Sequence, residues 1–464
     1  MRFYIYFNII YQVFALNRFY WKKNSWRDSK FLKKQIPIYK DANNLRQVEK
    51  KLYSSNSLVL SSEIKKLQKD LRDVYDKKAF ILTAGDCAET FSELTTENIR
   101  DSFRTIMQMS LIMSYGGLRI INIGRIAGQF AKPRSNPYET KNNITLPSYQ
   151  GDIINNIEFS EKSREPDPNL MIKAYQTSVS TMNILRSLMN SNLVSLEILN
   201  VWNSAIFENS YFKNNKKYQK IMQIIDDSFR LMHGFNINIE KLKIKNFYTA
   251  HECLLLNYEE NFVRKEEYEP NYDLSSHYLW IGERTRQLNS SHVEFCSGIN
   301  NPLGIKISEK INAEELCLLI DKLNIFNTPG KISLIIRMNT ENLKKHLPNL
   351  IKHLQNEKKK VIWMIDPCHA NTYSTKNGYK TRNIQDIKSE IKTFFEIHKE
   401  MDSFVGGIHL EMTGQNLITE CIGGNINSEE DLSKNYKSKC DPRLNREQSI
   451  EIALYVSELL KMYQ

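Results

Sequence analysis

Eight short runs of Ile, Val, Leu and aromatic residues, each ending abruptly on polar or charged side chains, recur along this 464-residue chain. They are KAFILTAGDC (78–87), LRIINIGR (118–125), NFYTAHE (246–252), HYLWIGER (277–284), PLGIKIS (302–308), ISLIIRM (332–338), VIWMIDPCH (361–369) and VGGIHLEM (405–412). Continuous apolar runs of this length suit strands of a parallel sheet covered on both faces. Helix-like periodicity separates several of them, over Thr96 to Met113, Ala313 to Leu323, Thr340 to Gln355 and Ile384 to Met401. An α/β fold follows, and eight strands alternating with helices predict a closed (β/α)8 TIM barrel, in which catalytic groups gather at the C-terminal strand ends. A doubly wound sheet, with charged residues merely marking strand ends, fits the same pattern.

The rhythm breaks once, over the 120 residues between Arg125 and Asn246. This long helical insertion after strand two (126–245) opens with a Pro-rich polar loop, Lys132 to Asp152, and carries helix-like stretches over Met171 to Met189 and Tyr218 to Met232. The organisation expected is therefore a basic and aromatic leader over 1–25, an N-terminal extension over 26–77 with a helix at Ser61 to Tyr75, and a catalytic barrel over 78–464 that includes the insertion.

Charge narrows the partners. The formal net charge is +11, but residues 1–34 hold eight basic side chains and one acid, leaving only +4 for the other 430 residues. A polyanion binder needs a basic face on its folded body, so nucleic acid is not expected as a partner. The apolar first 20 residues are interrupted by Asn8, Tyr11 and Gln12 and are too short and polar to span a bilayer, so no membrane partner is expected either. Seven dispersed cysteines without a CxxC pair indicate a reducing, cytoplasmic compartment. Organelle targeting by the leader stays open.

Two constellations sit at run ends. Cys87, His369, Glu411 and, in the segment after the last run, Asp441 offer thiolate, imidazole and two carboxylates. In a closed barrel strand eight lies beside strand one, so the four can meet and hold one divalent metal ion. That donor mix accommodates Mn2+, Co2+, Fe2+ or Zn2+ and does not by itself select the metal. The second set is cationic: Arg125, Arg284, Lys306 and Arg337. Strands rarely carry such residues unless they are paired or bound to an anion, so a small phosphate or carboxylate ligand is expected; Glu283 could instead pair with one of them structurally. The loop Lys132-Pro133-Arg134-Ser135 could hold a second phosphate.

TAGDCAETF, IGRIAGQFAKPRS, LPSYQGD, LWIGERTRQL, NPLGIK, DPCHANT, KTR (380–382), HLEMTGQN, TECIGG and CDPRLN together make the chain resemble the class II, plant-type 3-deoxy-D-arabino-heptulosonate 7-phosphate (DAHP) synthases from about Trp26 onward. The resemblance implies a (β/α)8 transferase that opens the shikimate pathway toward chorismate and the aromatic amino acids. It would condense phosphoenolpyruvate with erythrose 4-phosphate and release phosphate. It also implies metal ligands at Cys87, His369, Glu411 and Asp441. Phosphoenolpyruvate contacts fall at Arg125, Glu283, Arg284, Lys306 and Arg337, and erythrose 4-phosphate contacts at Lys132, Pro133, Arg134 and Ser135. Acid/base work would go to Glu283 or Lys306, and a homo-oligomer is implied. Departures from the family pattern are Ala84, Gln150, Cys368 and Ala370; the sulfur of Cys368 could alter metal preference. Competing readings are a synthase using another aldose phosphate and a non-catalytic regulatory or polyanion-binding barrel.

Overall fold

The computed structural model describes residues 21–207, 210–237, 243–265 and 270–463. The leader expected over 1–25 therefore lies mostly outside the described residues. Eight parallel strands close into a barrel: β1 (Ala79–Gly85), β2 (Arg119–Arg125), β3 (Phe247–Glu252), β4 (Tyr278–Ile281), β5 (Leu303–Ile307), β6 (Ile332–Ile336), β7 (Ile362–Ile365) and β8 (Val405–Glu411). Neighbours follow chain order, and β1 pairs with β8 to shut the ring. The barrel reading thus holds and the doubly wound sheet is excluded. Each of the eight apolar runs contains one of these strands.

Alternation sorts the side chains of each strand between two cores. Ile81, Ile121, Ile123, Tyr248, Ala250, Tyr278, Trp280, Ile335 and Met364 fill the interior, while Phe80, Leu82, Leu279, Ile305, Leu334 and Ile408 pack outward under the helices. Both faces are thus dry, which is why the strands read as unbroken apolar runs. The helix Ser61–Tyr75 seals the N-terminal mouth, presenting Leu67, Leu71 and Val74 to the interior cluster. The Glu63 carboxylate accepts from the Leu60 N–H at 2.8 Å and starts that helix. Asp70, two turns on, accepts from Arg119 at 2.9 Å and from the Tyr248 hydroxyl at 2.7 Å.

The outer helices Thr96–Ser114, Ala313–Leu323, Thr340–Asn356 and Ile384–Glu400 match the sequence reading. Asn312, Asn339 and Asn383 accept from backbone N–H groups at the starts of the last three. A final helix, Arg446–Tyr463, packs against Thr96–Ser114 and completes the ring. Between β3 and β4 there is no long helix among the described residues, only the turn Leu256–Glu259 and a hairpin of Val263–Lys265 with Asn271–Asp273. The insertion holds Asn169–Asn190, Leu196–Phe207 and Lys216–Gly234 as its longer helices. Its polar loop is a β-hairpin, Tyr138–Lys141 with Ile144–Pro147. Asn142 and Asn143 turn it with φ of 49° and 61°, conformations that asparagine tolerates and that a two-residue hairpin turn requires.

Candidate active site

A cavity of about 760 Å3 opens at the C-terminal ends of the strands, and Cys87, Arg125, Glu252, Lys306, Arg337, His369 and Asp441 all line it. Backbone register brings the first of these together. Gly85 pairs with Glu411 on one side and with Arg125 on the other, so Cys87, two residues beyond β1, emerges beside both. Only glycine suits position 85: its φ is +145° and an added Cβ would lie 2.7 Å from the Arg125 carbonyl oxygen.

Ligand atoms of Cys87, Glu411 and Asp441 lie within 4.8 Å of one another. His369, in the turn after β7, is outside that mutual group and reaches it through Glu411 alone, with Nε2 3.1 Å from Oε1. Its Nδ1 sits 2.6 Å from Asp366 Oδ2, an orienting carboxylate of the kind that metal-binding histidines use. The Lys132 ammonium stands among the anionic donors, 2.7 Å from Asp441 Oδ2, 2.8 Å from Cys87 Sγ and 3.6 Å from Glu411 Oε1. A cation therefore already fits this position, and the thiol and two carboxylates, with the His369 imidazole against Glu411, are donors of types that suit a divalent metal. Burial alone would raise both carboxyl groups, but His369 and Lys132 hold Glu411, and Lys132 holds Asp441, well below the usual carboxylate range. Burial, reinforced by Glu411, pushes the Cys87 thiol well up, so its thiolate needs a cation beside it.

The cationic residues occupy the same cavity. Arg125 is 2% exposed; its Nη2 donates to Glu411 Oε1 at 3.0 Å and its Nε to the Asp86 carbonyl at 2.8 Å. It also meets His409 and lies 5.1 Å above the Trp280 ring. Lys306 is buried against Asp366, and burial brings its pKa down to about 8, with Asp366 opposing and Arg125 and Arg337 assisting. Arg284 reaches the Ser135 hydroxyl, joining the expected phosphoenolpyruvate set to the KPRS loop. Arg134 pairs with Glu139 at 3.4 Å, and Gln35 brackets its backbone at 2.8 and 3.0 Å. Pro133 lines the wall. Glu283 accepts from Arg286 at 2.9 Å and from the Ser308 hydroxyl at 2.7 Å. Cys368 turns its sulfur to the Glu411 N–H at 3.5 Å, and burial pushes its thiol up to about 12.

Several residues escaped the sequence reading. Glu252 ends β3 inside the cavity, and its Oε1 is buried with no hydrogen-bond partner among the described residues. Burial raises its pKa against the pull of Lys132, Lys306 and Arg284. The run-end rule that selected Cys87 and Arg125 would have selected Glu252 in NFYTAHE and Asp366 in VIWMIDPCH. Glu89 also went unnoticed. It accepts from the N–H groups of Ala127, Gly128 and Gln129 at 2.9, 2.8 and 2.7 Å and pins the loop that leads from Arg125 to Lys132.

The chain is similar to several known proteins. A curated relative from Streptomyces coelicolor, named phospho-2-dehydro-3-deoxyheptonate aldolase, is 37% identical over 441 residues, covering 94% of this chain and 97% of its own. One of the same name from Neurospora crassa is 40% identical over 462 residues, covering 94% of each. Phospho-2-dehydro-3-deoxyheptonate aldolase AroG of Mycolicibacterium smegmatis is 38% identical and covers 88% of this chain and 89% of its own. The model of the class-II DAHP synthetase family matches residues 21–457, nearly the whole described chain, and the chain belongs to that family.

Proposed function

We propose that this chain, a DAHP synthase of class II, condenses phosphoenolpyruvate with erythrose 4-phosphate and water to give DAHP and phosphate, at a centre held by Cys87, His369, Glu411 and Asp441. The observation that carries this is one cavity lined by Cys87, His369 and Asp441 together with four strand-end cations, the Arg125–Glu411 ion pair behind it linking the two sets. When bound, a divalent cation supplies Lewis acidity toward the aldehyde carbonyl of the sugar phosphate. We take Mn2+ as that ion, which the two carboxylates suit; the thiol and imidazole also accept Co2+, Fe2+ or Zn2+.

The protein's own groups do the rest. Arg125, Arg284, Lys306 and Arg337 hold the phosphate and carboxylate of phosphoenolpyruvate, Arg284 and Arg337 as guanidinium forks and Lys306 as a point charge, while Arg125, whose nitrogens all have protein partners, contributes mainly its charge. Trp280, beneath Arg125 and within 6.0 Å of the Lys306 ammonium, gives the enol a flat apolar wall and excludes water from that side. Lys132, Pro133, Arg134 and Ser135 place the sugar phosphate so that its aldehyde carbon faces carbon three of the enol. Carbon three bonds to the aldehyde carbon, whose oxygen becomes an alkoxide; water adds to carbon two, its proton passing by way of Glu252 to that alkoxide, and the hemiketal hydroxyl gives its proton to the phosphate as the bond from carbon two to the phosphate oxygen breaks. Glu252, with one bare oxygen and a raised pKa, is placed to take the water's proton; this gives it the acid/base role that the sequence assigned to Glu283 or Lys306. Glu283, held by Arg286 and Ser308, supports the wall beside Arg284.

Seven free, buried cysteines support a reducing, cytoplasmic setting. No helix among the described residues is long and apolar enough to cross a membrane. Exposed Val201, Leu231 and Phe235 on the insertion support a homo-oligomer. The test of the activity is phosphate release on mixing Mn2+-loaded protein with both substrates. Release that requires both supports the reading; no release with any divalent metal overturns it.

A further inference from the structure

The motif Lys380-Thr381-Arg382 has no part in the chemistry above, yet it touches two of the four donor residues. Lys380 and Thr381 pair with Ser374 and Tyr373 in a short hairpin, and along an extended segment residues two apart project to the same face. The intervening Thr381 points the other way and donates to the Glu420 carbonyl at 2.9 Å. Lys380 Nζ lies 3.0 Å from Asp441 Oδ1. Arg382 Nη2 lies 2.6 Å from Glu411 Oε2, with Nε on Thr372 Oγ1 at 2.9 Å and Nη1 on the Pro442 carbonyl. Both Arg382 and Glu411 are 0% exposed.

The opposite oxygens face the donor set. Glu411 Oε1 lies 3.1 Å from His369 Nε2 while also accepting from Arg125 at 3.0 Å, and Asp441 Oδ2 lies 3.8 Å from Cys87 Sγ and 2.7 Å from the Lys132 ammonium, which stands where a metal would. We propose that the Lys-x-Arg pair sets the coordination mode of both carboxylates, each giving a metal one oxygen while a fixed cation holds the other. Carboxylates bind metals through one oxygen or two. With Oε2 and Oδ1 committed, the four residues present four donor atoms instead of six, which keeps positions open for a substrate oxygen. Lys380 and Arg382 are positioning residues: they act through Glu411 and Asp441. Arg382 also ties Thr372, three residues after His369, to Pro442, next to Asp441, so one guanidinium spans three ligand-bearing segments.

This inference rests on the assignment of Cys87, His369, Glu411 and Asp441 as metal ligands, and the experiment separates the two. Full-length protein stripped of metal is titrated with Co2+, whose visible absorption weakens as its coordination number rises. Lys380→Met and Arg382→Gln should each lower the absorption per bound cobalt severalfold, and Arg382→Lys should restore part of it. Lys380 has a side chain 43% exposed, so its variant carries the test if Arg382→Gln does not fold. Wild-type spectra in Lys380→Met and in whichever Arg382 variant folds would overturn the inference. A near-ultraviolet thiolate-to-cobalt band missing from the wild type, or surviving in Cys87→Ser, would overturn the ligand assignment itself and the inference with it.

Discussion

The ammonium of Lys132 lies 2.8 Å from the sulfur of Cys87, inside a ring of donors that a loop lysine has no obvious reason to enter. It balances the buried negative charge of Glu411 and Asp441 and favours the thiolate. Removing one partner of a buried ionic cluster costs about 3–5 kcal/mol, so Lys132→Met should lower the unfolding midpoint in chelator. Added Mn2+ should then raise that midpoint more in the variant than in wild type. Equal midpoints in chelator would show that the ammonium does not balance the cluster.

Asp366 Oδ2 serves two side chains, His369 Nδ1 at 2.6 Å and the Lys306 ammonium, while its Oδ1 accepts from the Cys368 and His369 N–H groups. Asp366→Asn should weaken Mn2+ binding roughly 10–100-fold, read by competition with a metal-sensitive dye. The same change should raise KM for phosphoenolpyruvate, because Lys306 loses its anchor. An unchanged metal affinity would remove Asp366 from the centre.

Glu252→Gln keeps the shape of the cavity wall but cannot take up a proton. The expected result is a fall in kcat of roughly 10²–10⁴-fold with little change in either KM, measured by phosphate release. A near-native kcat would return the acid/base role to Glu283.

Lys306 titrates at about 8 because burial disfavours its ammonium. Between that value and the ordinary 10.5 the folded protein binds fewer protons than the unfolded chain, so this group's contribution to stability grows with pH. Activity moves the other way: kcat/KM for phosphoenolpyruvate should fall as pH rises past about 8, when the ammonium is lost. Lys306→Arg, weaker overall, should shift that alkaline limb upward by more than one pH unit, since arginine stays charged. A limb that stays in place would assign it to another group.

The strands were legible because a doubly covered parallel strand must be apolar throughout, and their termini because charge cannot continue into such a core. Cys87, Arg125 and Glu411 follow from that rule alone. The direction taken by Lys132 does not, since KPRS says nothing of which loop it faces, and only the β1–β8 closure puts Asp441 within its reach. Arg382 lay hidden for a related reason: KTR belongs to a small hairpin outside the eight runs, and a buried guanidinium there looks like any surface arginine in the sequence. The 138–147 hairpin was read as a loop because four-residue strands with exposed side chains leave no apolar trace.

Cys87 and Asp441 meet across 354 residues of chain, on either side of the seam where β1 joins β8. Closing so long a loop is entropically costly and comes late in folding, and until it happens the donors are far apart. An ion held by Cys87 and Asp441 would clasp the end of β1 to the segment that follows β8, and by mass action it would favour chains that have completed the ring. Metal occupancy would then report that synthesis and folding are finished, and metal starvation would expose the enzyme first at this seam.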